Sequence, residues 1–159
     1  MIDSQTIVPI SVVMPVFNGG PYLKAAVESI LSQSLATFEF IIIDDGSTDG
    51  SGEMLQKLSD ERIHLVRREN RGFAATLNEA IGMARGKYIA RMDADDISLP
   101  DRLALQLAYM EAHPDVHILG GQARAIDENN RSIGFVRCPV GRENVRRTLS
   151  HICPMIHPS

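Results

Sequence analysis

Phe38-Glu39-Phe40-Ile41-Ile42-Ile43-Asp44-Asp45-Gly46-Ser47-Thr48-Asp49-Gly50 is a β-rich apolar run that stops at two carboxylates and a glycine-bearing polar turn. Such a run reads as a strand covered on both faces, the habit of parallel sheets. The same arrangement recurs on either side of it. Ile10 to Val16 is an apolar run closed by Asn18-Gly19-Gly20-Pro21, and Tyr88 to Met92 runs into Asp93-Ala94-Asp95-Asp96. Ile63 to Val66 is a shorter strand. Helical patterns fill the intervals. Leu23, Ala26, Val27, Ile30 and Leu31 keep the spacing of an amphipathic helix. Glu53 to Leu58 predicts a second helix, and Phe73 to Ala84 a third with Phe73, Leu77, Ala80, Ile81 and Ala84 inward. Ser98-Leu99-Pro100-Asp101 resembles a capping box opening a helix through about Ala112. This alternation predicts an α/β fold with a mainly parallel, doubly wound sheet flanked by helices. After Pro114, Val116 to Ile126 and Ser132 to Val136 predict a β-hairpin added to the parallel core, and a short basic helix follows near Glu143 to Leu149.

The chain has 159 residues, 44% hydrophobic and 23% charged, enough for one globular domain without disulfides. We divide it into a tail over residues 1–9 and a domain over 10–159. Its two cysteines, Cys138 and Cys153, lack C-x-x-C spacing, so neither zinc nor redox chemistry is expected of them. A net charge of −4 offers no field for a polyanion, which argues against nucleic acid as a partner. Residues Met1 to Pro9 lack the basic start and apolar core of a signal peptide, and no apolar run approaches the ~20 residues that span a bilayer. The expected location is the cytoplasm, free or peripheral at the inner membrane face.

In an open parallel sheet, ligands bind outside the carboxyl ends of the strands. Three polar loops are expected on that edge: Pro15 to Gly20, Asp44 to Gly50, and Asp93 to Asp96. Carboxylates at i and i+2 suit Mg²⁺ or Mn²⁺ bridging to phosphate oxygens. Taken alone, Asp93-Ala94-Asp95 reads better as a solvated turn, because Asp favours turns for its own hydrogen bonds. Three such ends on one edge shift the reading toward a site. No P-loop is present, and Gly46, Gly50 and Gly52 have the wrong spacing for a dinucleotide fingerprint. Asp45 to Gln56 imitates a calcium loop but lacks the closing Glu and the entering helix. The histidines form no constellation, and no G-x-S-x-G elbow is present. Arg67, Arg68 and Arg71 could meet phosphate, although such clusters are more often solvated surface.

These residues resemble a family 2 glycosyltransferase with the Rossmann-like GT-A fold. Ser11-Val12-Val13-Met14-Pro15-Val16-Phe17-Asn18, Phe38 to Asp49, Asn70-Arg71-Gly72, Asp93-Ala94-Asp95-Asp96 and Pro100-Asp101-Arg102-Leu103 carry the likeness, in order, from about residue 10. The resemblance implies inverting transfer of a hexosyl-type sugar from a nucleotide-sugar donor, often a UDP-sugar, with Mn²⁺ or Mg²⁺. The acceptor would be a hydroxyl of a glycan, a lipid-linked sugar or another molecule. By the same resemblance Pro15 and Phe17 line the nucleobase, Phe17 standing in for the commoner tyrosine. Asp45 accepts a hydrogen bond from the base, with Asp44 in support, and Asn70 to Gly72, including Arg71, close over the nucleotide. Asp93 lies near the ribose and metal, Asp95 ligates the metal, and Asp96 supports them. Relatives carry the general base well beyond the D-x-D, and His157-Pro158-Ser159 resembles the segment just before their acceptor half. The expectation is a donor-binding portion of a longer enzyme, its base beyond Ser159 and its own transferase activity slight. A non-catalytic nucleotide-binding module is the alternative. A phosphohydrolase or receiver domain is disfavoured because no Lys or Thr partner stands at later strand ends.

Overall fold

The computed structural model describes residues 8–151 and 153. Strand β1 (Ile10–Val16) and strand β2 (Glu39–Asp44) are buried at every position. With β3 (Ile63–Arg67) and β4 (Tyr88–Arg91) they form a wholly parallel sheet ordered β3-β2-β1-β4. The two continuous apolar runs are therefore the inner strands, and the shorter ones are the edges. The prediction of a parallel α/β core is met.

Alternate residues serve opposite faces. Ile10, Val12, Met14 and Val16, with Phe38, Phe40 and Ile42, pack against Leu23, Ala26, Val27 and Ile30 of helix α1 (Leu23–Leu31). Leu55 of α2 (Ser51–Leu55) and Leu103 of α4 (Arg102–Ala112) complete that side. On the other face Val13, Ile41 and Ile43 meet Ala80 and Leu77 of α3 (Phe73–Met83). Each fully buried aliphatic side chain contributes roughly 1.5–3 kcal/mol relative to exposure.

A polar knot fastens the turn before β4 to the start of the sheet. Ser11 Oγ donates to Glu39 Oε1 at 2.6 Å, and Arg85 donates to both Glu39 oxygens, from N at 2.7 Å and Nε at 2.8 Å. Burial pushes the Glu39 carboxyl up, but these donors outweigh it and hold the group below its ordinary value. Gly86 N donates to Ser11 Oγ at 2.8 Å, and a Cβ on Gly86 would come 2.5 Å from Ser11 N. Only glycine allows that approach.

Four expectations need correction. The capping box at Ser98 does not form, since Asp101 precedes α4 without a side-chain cap. Gln33 does its work: Oε1 accepts from Leu103 N at 3.0 Å, and Nε2 donates to Leu99 O at 2.7 Å. Ser98 is buried and receives Gln33 Nε2 at 3.2 Å instead. On α3, Phe73 and Ile81 are exposed, and the buried stripe runs through Thr76 and Ala80. Helix α2 is shorter and earlier than Glu53 to Leu58. Of Val116 to Ile126, only β5 (Ala123–Ile126) is strand; it pairs antiparallel with β6 (Ser132–Val136) in a separate sheet, not on the parallel core. Gly120-Gly121 interrupts the apolar pattern that suggested a longer strand. Helix α5 (Arg142–Leu149) forms as expected. Expectations for residues 1–7 and for His157 to Ser159 lie outside the described residues. No described helix is long and apolar enough to cross a membrane.

Candidate functional site

At the carboxyl edge of the sheet the loops after β1 and β2 are stapled to one another. Asn18 N donates to Ser47 Oγ at 2.9 Å, and Thr48 N donates back to Asn18 Oδ1 at 2.9 Å. Gly19 N donates to Ser51 Oγ at 3.1 Å and Gly20 N to Asp49 Oδ2 at 2.9 Å. The β1 loop turns sharply enough to require left-handed backbone at Asn18 (φ 53°) and Gly20 (φ 56°), conformations that these two residue types tolerate best. The acidic, glycine-bearing turn is thus a scaffold that shapes the loop next to it.

Asp44 and Asp45 both point inward. Asp44 accepts from Ser47 N at 2.9 Å and pairs with Arg67 Nε at 3.0 Å, directly over Gly52, where a Cβ would collide with both partners. Asp45 is buried; Oδ1 receives Arg71 N at 2.8 Å and the Arg68 guanidinium, and Oδ2 receives Gly72 N at 3.0 Å. Burial raises the Asp45 carboxyl, and these donors more than reverse it, so it is held below its ordinary value. Arg68 continues to Glu79 Oε2 at 2.8 Å and Thr76 Oγ1 at 3.0 Å on α3. The loop over residues 68–72 is in this way tied both to the sheet and to the helix that follows.

In front of this knot lies a cavity of about 340 Å³ lined by Pro15, Phe17, Tyr22, Phe73, Asp93 and Asp95, among others. Three half-exposed rings stand around it: Phe17 at 54%, Tyr22 at 50% and Phe73 at 53%. In the same lining, Asp93 accepts a bidentate pair from Arg91, Nε to Oδ1 at 2.9 Å and Nη2 to Oδ2 at 3.0 Å. The same guanidinium lies 5.0 Å from the centre of the Phe73 ring. Asp95 and Asp96 are exposed. Asp96 is raised above its ordinary value by desolvation of its carboxyl and by repulsion from Asp95 and Asp93. Behind the motif, burial brings the Arg102 guanidinium down to about 10, with Asp96 opposing the shift.

A cleft lined by both aromatic rings and carboxylates suits a planar base joined to a sugar-phosphate. No group of three or more His, Cys, Asp or Glu side chains among the described residues could hold a metal ion by itself. Asp95, with Asp93 beside it, fits Mn²⁺ or Mg²⁺ when phosphate oxygens supply the remaining ligands, as is usual for Mg²⁺.

Of the residues expected in the site, Pro15, Phe17, Asp93 and Asp95 line one cavity. Asp44, Asp45, Arg71 and Gly72 do not line it; they belong to the hydrogen-bonded framework of the loops after β2 and β3. Tyr22, Phe73 and Arg91 belong to the site without a sequence expectation behind them. Helical spacing puts Phe73 in the core, and Arg91 carries no motif. An aromatic at the first turn after the Asn70-Arg71-Gly72 loop was the available signal.

The glycosyl transferase family 2 model matches residues 11–158. An uncharacterized glycosyltransferase of Methanocaldococcus jannaschii is 43% identical over 125 residues, 76% of this chain and 43% of that protein. S. aureus TarS 1-349 superposes with a TM-score of 0.62 at 24% identity, over 67% of this chain and 33% of that one; its complex with UDP gives 0.58 at 23% identity, over the same shares. The mannosyltransferase PcManGT of Pyrobaculum calidifontis, in complex with GDP-Man and Mn2+, gives 0.58 at 24% identity, over 78% of this chain and 37% of that one. A parallel α/β sheet with a polar cleft at its carboxyl edge is the GT-A architecture, and this chain belongs to glycosyl transferase family 2. It spans less than half the length of the curated relative it matches.

Proposed function

We propose that this chain binds the nucleoside diphosphate of a nucleotide-sugar donor, a UDP-sugar, and serves inverting, metal-dependent transfer of the sugar to an acceptor hydroxyl. The observation that carries this reading is that Phe17, Tyr22 and Phe73 line one cleft together with Asp93 and Asp95. Rings on that scale supply stacking faces for a base, and family membership supports glycosyl transfer as the chemistry. The relatives solved with UDP, and with GDP-Man and Mn2+, support the donor class and the metal.

Pro15 and Phe17 would receive the base, with the Asp45 knot holding Arg71 and Gly72 at its edge. Asp95 would hold the divalent cation with the donor's diphosphate. That cation, when bound, offsets the charge that develops on the leaving diphosphate. Inversion needs a base for the acceptor proton, and we assign that base outside the described residues. Calorimetry tests the donor half: UDP binds, Mn²⁺ strengthens binding, and Asp95→Ala makes affinity indifferent to Mn²⁺. UDP binding that is absent with and without metal would overturn the reading. For the transfer half, the expected outcome is donor binding by this chain with little sugar transfer, and efficient turnover would remove our assignment of the base.

A further inference from the structure

Arg91 stands on β4 in register with Val13 of β1, so its side chain falls on the α3 face of the sheet, where Val13 packs. There one guanidinium does two things. It clasps both oxygens of Asp93 at 2.9 and 3.0 Å, and its central carbon lies over the Phe73 ring, 5.0 Å from the centre. Its backbone is steadied as well, since Arg91 O accepts from both Arg102 terminal nitrogens at 3.4 Å. A forked bond of this kind fixes the orientation of a carboxylate as well as matching its charge. A divalent cation at either Asp93 oxygen would sit beside a guanidinium of like sign, in a partly buried place where such repulsion is poorly screened.

We propose that Arg91 is a positioning residue that withholds Asp93 from direct metal ligation and locks it to the Phe73 wall of the cleft. Asp95 then keeps the ligand role already assigned to it, and Asp93 does not compete for the cation. The inference rests on reading the cleft as a metal-assisted donor site. It predicts something a merely structural Arg91 would not: removing the arginine improves metal binding.

The test is a titration with Mn²⁺ alone, without nucleotide, followed by the paramagnetic resonance of the free ion. Wild type and Asp93→Asn should bind Mn²⁺ equally weakly. Arg91→Met, which keeps the length and removes the charge, should bind it at least about tenfold more tightly, the size typical of changes just outside a metal's ligands. Asp93→Asn added to Arg91→Met should return affinity to the wild-type level, completing a double-mutant cycle. Unchanged affinity in Arg91→Met, or an Asp93→Asn substitution that itself weakens binding tenfold, would overturn the proposal. Thermal melts check folding; if Arg91→Met does not fold, the Asp93→Asn comparison decides alone. A separate UDP titration of the wild type separates the two readings, because loss of UDP binding refutes the donor site without altering the Mn²⁺ pattern.

Discussion

Asp45 and Arg68 illustrate how a motif residue can act without touching solvent. Their side chains are 4% and 10% exposed, and between them they hold two backbone amides and two α3 side chains. Removing one member of such a pair leaves the other charge without its partner. Arg68→Met should therefore lower stability, read as a lower urea midpoint. The rings at the cleft work differently. Phe17→Ala and Phe73→Ala each remove a half-exposed face, so stability should hardly change while UDP affinity falls by about 1 kcal/mol, several-fold by calorimetry. Phe73 is not legible from sequence as a cleft residue, because helical spacing registers the apolar residues of a helix but not that its first residue stays exposed at the site. The carboxylates at the strand ends were legible; which of them face the cleft was not, since Asp44 and Asp45 are neighbours and both turn inward.

Among elements, α4 has the least local start. Its first turn is held by Gln33, whose carbonyl oxygen accepts from Leu103 N across 70 residues of sequence. Local reading found Ser98 and Asp101 and could not find Gln33. Gln33→Leu should cost about 2–4 kcal/mol, since it leaves a buried amide and a carbonyl without partners. Acid should act on the loops and the β2 knot. Glu39, Asp45 and Asp60 are all held below their ordinary values, Asp60 to about 2, chiefly by Arg62. Each binds its proton less readily folded than unfolded, so its contribution is complete above its ordinary value, 4.5 for Glu39 and 3.8 for the aspartates. That contribution fades as pH falls, for Asp60 down to about 2. Asp96, raised instead, opposes this trend, because its proton is bound more readily folded than unfolded and relieves repulsion. The three lowered groups outnumber it, and denaturant midpoints should drop between about pH 5 and about pH 2.

For the whole molecule, the order β3-β2-β1-β4 places the two longest apolar runs in the middle and their polar ends side by side. This much follows from the run lengths and the alternation with helices, which is why the parallel core was legible. The hairpin was legible as a pair but not in its place, because nothing in residues 123–136 specifies the sheet that a strand joins. The cleft inherits the topology: its walls come from the end of β1 and the loop after it, from the first residue of α3 and from the segment after β4, so no stretch of sequence forms it alone.

The staples between residues 18–20 and 47–51 join segments about thirty residues apart, and the Asp93 wall comes from another forty or so onward. Bringing segments that distant together costs loop-closure entropy. Binding competence therefore rests on segments far apart in sequence, and a bound nucleotide should act as a clamp on their unfolding. With ligand at a hundred times its dissociation constant the gain is about 2.7 kcal/mol, which a thermal melt with UDP and Mn²⁺ would register as a shift of several degrees.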